Sequence, residues 1–277
     1  MRGKNVLIII LTVIVFLSAA VLGVSTVYRV SEVTVNAPVV SEEAKSEAES
    51  LQKRLEEAYA RSSTFFVDQT LADEIVADFP YFRITSFTRA YPNRIVVEVT
   101  EDAEVYAASF GEGGYYILGA DGTVLGIRDD YANRTDGEPN ILLFGTPSLN
   151  VVGDKGKPLS SDAVLTHLFA FCNKANEIFL AGKIGQTGEA PRGIRGNVVS
   201  VEVLRPVEAE SETMFRLSMA EGVSIYVRNP SLHTLEKAEK AVDAYSSLSD
   251  RQKLTGALLV LDGETGITTA YYENFQF

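Results

Sequence analysis

Cysteine, histidine and basic charge are all scarce in this chain. Cys172 is the one cysteine, so no intramolecular disulfide can brace the fold, and stability has to come from burial alone. It lies in the apolar helical stretch Leu165 to Cys172, where a free cysteine serves as a small buried hydrophobe. The two histidines, His167 and His233, fall in or at predicted helices. No His, Cys or carboxylate cluster stands near them at metal-ligand spacing, so neither a zinc site nor a histidine-based triad is supported. Bases number 25 against 37 acids, a net charge of -12, which argues against nucleic acid and against lying flat on anionic lipid. The glycine-rich segment Gly182 to Gly196 lacks the lysine-serine ending of a phosphate loop and reads as a loop. No enzyme, metal or cofactor is expected.

Long hydrophobic runs are missing too, with one exception. Asn5 to Tyr28 is uncharged, preceded by Arg2 and Lys4 and followed by Arg29. A hydrocarbon core about 30 Å thick needs ~20 apolar residues in a helix, and Val6 to Val27 supplies them. The expected layout is a cytoplasmic tail at 1–5, a transmembrane helix at 6–28 and the remainder exported, with Arg2 and Lys4 favouring a cytoplasmic N-terminus. A cleaved signal peptide is the competing reading; Val21-Leu22-Gly23 makes a poor cleavage site, and the uncharged run continues beyond it.

Val30 to Thr100 reads as strand, helix, helix, strand, strand. Val33 and Val35 alternate onto one face of the first strand. Ser41 can cap a helix whose Ala44, Ala48, Leu51, Leu55 and Ala58 recur at helical spacing, and the glutamates of 42–57 make its wet face. Asp68 is the next candidate cap, opening a helix with Leu71, Ile75, Val76 and Phe79 on one stripe. The period then changes to two. Phe82, Ile84 and Ser86 alternate with Arg83, Thr85 and Phe87, and after a Tyr91-Pro92-Asn93-Arg94 turn Ile95, Val97 and Val99 form a second alternating face.

Beyond Ala103 the signals are mostly β. Strands are expected around 104–109, 115–118, 123–126 and 140–144, then a helix at 161–180, strands at 198–204, 214–219 and 224–227, and a helix at about 231–247 with Leu235, Ala238, Ala241, Val242 and Tyr245 inward. A hairpin follows, 256–262 with 266–272 around Gly263-Glu264-Thr265, and its apolar content asks for something to cover or pair with it. Asn133-Arg134-Thr135 matches a glycosylation sequon, and a surface turn explains it equally well. The fold class is therefore α+β, with a single N-terminal transmembrane helix, a β-α-α-β-β domain and a mixed β domain carrying two helices.

Placed just after one membrane anchor, Val30 to Leu125 resembles the bacterial division protein family FtsQ/DivIB. The resemblance is most specific over Pro80 to Glu101: proline, aromatic, alternating strand, arginines, the Tyr91-Pro92 turn, and a strand ending in Glu101. Thr88 and Asp102 depart from the family pattern where basic residues are common, and Gly119-Ala120 blurs an aspartate-glycine turn. The resemblance implies a POTRA domain at 29–101, a β domain at 102–277, and a non-enzymatic scaffold of the divisome at the septum. It also implies binding to bitopic coiled-coil partners of the FtsB/DivIC and FtsL kind. In that family a partner adds a β-strand to the last strand of the β domain. Carried over, the edge comprises Thr265, Gly266, Ile267, Thr268, Thr269, Ala270, Tyr271 and Tyr272. The alternative is a POTRA-bearing envelope-assembly or export factor.

Overall fold

The structure, a computed structural model, describes residues 2–39, 41–110, 113–146, 153–159, 163–182, 192–204, 213–264 and 266–274. The chain divides into two units, Met1–Asp102 and Ala103–Phe277. The mixed α+β class agrees with expectation.

The first unit opens with α1 (Arg2–Val27), a helix long and apolar enough to cross a membrane, a property it shares with signal sequences. Helix begins at Arg2, inside the segment expected as a tail. Ser25 and Thr26, the polar residues near its end, both donate their hydroxyls back to Leu22 O, so neither leaves a proton unsatisfied in an apolar medium.

After α1 come β1 (Glu32–Asn36), α2 (Glu42–Tyr59), α3 (Thr70–Val76), β2 (Phe82–Ala90) and β3 (Arg94–Glu101), in sheet order β1-β3-β2. β1 runs parallel to β3 and β2 antiparallel to it. Ser41 caps α2 as expected, its hydroxyl accepting from Ala44 N at 3.1 Å. Asp68 does not cap α3; Gln69 holds that position in helical conformation, with no side-chain cap.

A second correction concerns β2. Its register slips between Ile84 and Ser86, so Thr85 is extra and Phe87, not Ser86, shares the face of Phe82 and Ile84. Phe87 pairs with buried Val97 and stands 6.1 Å from the Tyr59 ring.

The second unit contains one nine-stranded sheet. Its elements are β4 (Tyr106–Ser109), β5 (Tyr115–Leu118), β6 (Val124–Arg128), β7 (Ile141–Thr146), α4 (Ala163–Ala181), α5 (Ile194–Asn197), β8 (Val198–Leu204), β9 (Met214–Met219), β10 (Ser224–Arg228), α6 (Thr234–Ser246), α7 (Asp250–Lys253), β11 (Ala257–Gly263) and β12 (Gly266–Tyr272). Strand order is β12-β11-β10-β9-β8-β7-β4-β5-β6. Two one-turn helices, α5 and α7, join the two that were expected, and Gly196 of the expected loop lies within α5. The core forms where α4 and α6 meet one sheet face, around Leu168, Phe171, Val201, Phe215, Ile225 and Val260. The β5–β6 turn works through Gly122, at φ +83, where an added Cβ would come within 2.2 Å of the Phe169 ring.

Candidate functional site

β12 lies at one edge of the nine-stranded sheet and pairs only with β11 among the described residues. Which of its backbone groups are free follows from parity. Ser224 N donates to Gly256 O at 3.1 Å, so in β11 the even-numbered residues turn their N–H and C=O toward β10 and the odd-numbered ones toward β12. The antiparallel register pairs Ala257 with Tyr272, Leu259 with Ala270, Leu261 with Thr268 and Gly263 with Gly266. Those four β12 residues are therefore bonded inward. Ile267, Thr269 and Tyr271 point their donors and acceptors outward, off the sheet.

Side chains divide the same way. Ile267, Thr269 and Tyr271 lie opposite Asp262, Val260 and Leu258, on the α6 side, where Ile267 and Tyr271 pack against the core. Tyr271 Oη also donates to Thr255 O at 2.9 Å. Thr268, Ala270 and Tyr272 occupy the other face, with Tyr272 47% exposed. Of the apolar residues of β12, Ile267 and Tyr271 face the core and Ala270 and Tyr272 do not. Thr265 lies outside the described residues.

An ion pair invisible to periodicity holds the root of this hairpin. Lys237 of α6 is fully buried, and its ammonium donates to Arg228 O, Asn229 O and Asp262 Oδ2, each at 2.8 Å. Three donors meet three acceptors. Leu235, expected inward, is instead 53% exposed, because α6 turns its buried face through Lys237, Ala238, Ala241, Val242 and Tyr245. A lysine is normally read as solvated, so the sequence offers little warning.

A buried polar cluster anchors the start of the second unit. Glu104, fully buried, accepts from Arg128 Nη2 and from Arg134 N at 2.9 Å each. Its carbonyl accepts from Asn133 Nδ2 at 2.8 Å and from Arg195 Nη1 at 2.9 Å. Arg195 also grips both oxygens of Asp136, which overcomes the upward pull of burial and leaves the Asp136 carboxyl below its ordinary pKa. The Asn133 amide of the sequon is spoken for as well: it donates to Glu104 O and Asn140 Oδ1, and its oxygen accepts from Thr135 N and Asp136 N. It builds a turn. A cleft of about 850 Å³ beside the cluster has Asn176 and Arg195 in its lining, and both bond to the fold.

The other chemistry-bearing groups are similarly engaged. Thr234 Oγ1 donates to Pro230 O at 2.7 Å, so it can only accept from His167 Nδ1 at 3.1 Å and has no proton left to give that imidazole. Burial pushes the Cys172 thiol up to about 12, against a smaller opposing effect from its hydrogen bond to Tyr106. Among the described residues, no group of three or more His, Cys, Asp or Glu could hold a metal ion. Compared with known proteins, the chain matches no family model and no curated protein.

Proposed function

We propose that this chain is a membrane-tethered, non-enzymatic scaffold of the bacterial divisome, of the FtsQ/DivIB kind, with a POTRA domain at 29–101 and a partner-binding β domain beyond it. α1 holds it in the cytoplasmic membrane with the N-terminus inside, and the exported units act at the septum. The observation that carries this reading is the β12 edge, where Ile267, Thr269 and Tyr271 present main-chain groups in a row that are unpaired among the described residues. An extended segment of an FtsB/DivIC-like partner, brought with an FtsL-like one, adds there as a tenth strand; main-chain bonds supply affinity, and pockets for alternate side chains supply selectivity. The β-α-α-β-β order of the first unit and its position after one apolar helix support the same assignment.

Parity makes the test sharp. Thr269→Pro removes an outward donor from β12 and leaves its bonds to β11 intact, since proline is tolerated on an edge strand whose N–H faces away. In the full chain in detergent, capture of the coiled-coil partners should weaken at least about tenfold, the equivalent of ~1.4 kcal/mol, with hydrogen exchange in β11 unchanged. Ala270→Pro, which removes an inward donor, should instead open the hairpin. Undiminished capture by Thr269→Pro would place the partner elsewhere, and no capture by the parent chain would end the scaffold reading.

A further inference from the structure

Where α1 ends, the first unit carries aromatic side chains that its own core leaves outside. Tyr28, the residue after α1, is still bonded as helix, its N–H donating to Val24 O at 3.0 Å. The Tyr28 ring stands 4.3 Å from Phe65 and 6.2 Å from Tyr91, and Phe65 stands 5.5 Å from Tyr91. Phe66, next in the chain, is 87% exposed, Phe65 44% and Tyr91 55%. Arginines accompany them: Arg29 donates to Ala60 O at 3.3 Å, Arg89 donates to Phe65 O at 3.4 Å, and Arg61, next to Ala60 in the chain, is exposed.

This group is bonded directly to the helix. Tyr28 O accepts from Thr64 N at 2.8 Å, with the Thr64 hydroxyl oxygen 3.1 Å away, and Val30 N donates to Ser62 O at 2.9 Å. Thr64 Oγ1 also reaches Pro92 O, which ties in the Tyr91–Pro92 turn. No slack separates helix from loop. Val6 to Val27, 22 residues, spans about 33 Å at 1.5 Å per residue, enough to cross a hydrocarbon thickness of ~30 Å. A span ending at Val27 puts Tyr28, and the rings stacked on it, at headgroup level, where aromatic side chains gather and arginines meet lipid phosphate.

We propose that Tyr28, Phe65, Phe66 and Tyr91, rimmed by Arg29, Arg61 and Arg89, seat the first unit on the headgroup layer of the bilayer that α1 crosses. The inference rests on α1 being a membrane span. The acid excess of the chain as a whole opposes a surface lying flat on anionic lipid, but this patch brings cations and rings together at the one point the helix holds against the membrane. The helix then sets the height of the unit and is not a loose leash.

The chain has no tryptophan, so single replacements report cleanly. The full chain carrying Phe66→Trp, and separately Phe16→Trp in mid-helix, is reconstituted in vesicles of phosphatidylethanolamine and phosphatidylglycerol containing lipid brominated at shallow or deep acyl positions. A seated unit gives a blue-shifted Phe66→Trp emission that shallow bromines quench more than deep ones and that aqueous iodide does not quench. Phe16→Trp should show the opposite depth preference. Quenching at position 16 with water-like, iodide-quenched emission at position 66 overturns the seat and leaves the span standing. Absence of lipid quenching at position 16 removes the span, and the seat with it.

Discussion

The two edges of the nine-stranded sheet are treated oppositely. At β6 the chain folds back over its own strand: Val124 N donates to Lys157 O at 2.9 Å, Val124 O accepts from Gly156 N at 2.8 Å, and Leu159 N reaches Gly122 O at 2.9 Å. The strand is short, its register shifts beside Leu118, and its last residue, Arg128, is drawn to buried Glu104. These are devices that stop a sheet from growing. β12 has none of them among the described residues: it runs seven residues without a register shift, carries no charge or proline, and offers three outward residues. An edge left open in a molecule that closes its other edge is the physical ground for the proposal that a partner strand adds at β12.

If the closed edge depends on the Glu104 cluster, removing that carboxylate should have the largest effect. Glu104→Ala leaves Arg128, whose side chain is 12% exposed, without its counter-ion. The second unit should lose about 3–5 kcal/mol in chemical denaturation, and hydrogen exchange should accelerate in β6 and the 154–159 cover more than in β12. Equal acceleration at both edges would mean that the cluster supports the sheet as a whole.

The open edge has a smaller support of the same kind. Asp262→Asn strips the charge partner from buried Lys237 but leaves the two carbonyls it bonds, and the Asp262 side chain is already 35% exposed. Partial solvation reduces the cost to about 1–2 kcal/mol. It should appear as faster exchange in the β11–β12 hairpin and weaker partner capture, with β6 untouched.

Both supports lie beyond what periodicity can reveal, although most of the fold does not. Alternation gave the extents of β5, β8, β9 and β12 as they stand, and the apolar stripe of α2 placed Leu51 and Leu55 in the core. The failures share a cause: Thr85 bulges and moves Phe87 inward, while Lys237 is buried because three oxygens from distant segments converge on it. One inserted residue changes a face without changing composition, and a buried lysine looks solvated until its acceptors are placed. The candidate edge was legible as a strand from its turn and its alternation. That Ile267, Thr269 and Tyr271 are the outward residues required the β10–β11 register, which no local pattern encodes.

Acid offers the finest separation of the two edges. The Asp136 carboxyl sits below its usual range because Arg195 holds both oxygens, against the opposing pull of burial. A depressed folded pKa means that this pair adds stability above the unfolded value of about 3.9, and that the contribution fades as pH falls through the lowered folded value. Since the carboxylate is partly solvated, its worth at neutral pH is about 1 kcal/mol. Asp136→Asn should therefore be less stable than the parent chain by that amount at pH 7, and the gap should close only as pH falls through the lowered folded value, below which the parent's own carboxyl is protonated in both states. Denaturation of parent and variant across that range measures the gap. Because Arg195 also bonds Glu104 O, the loosening should be felt first around β4 and β6, while the β11–β12 hairpin responds to Asp136→Asn at neither pH. A gap that persists unchanged in acid would mean that the amide loses packing rather than charge, and that the closed edge is held by shape more than by its ion pairs.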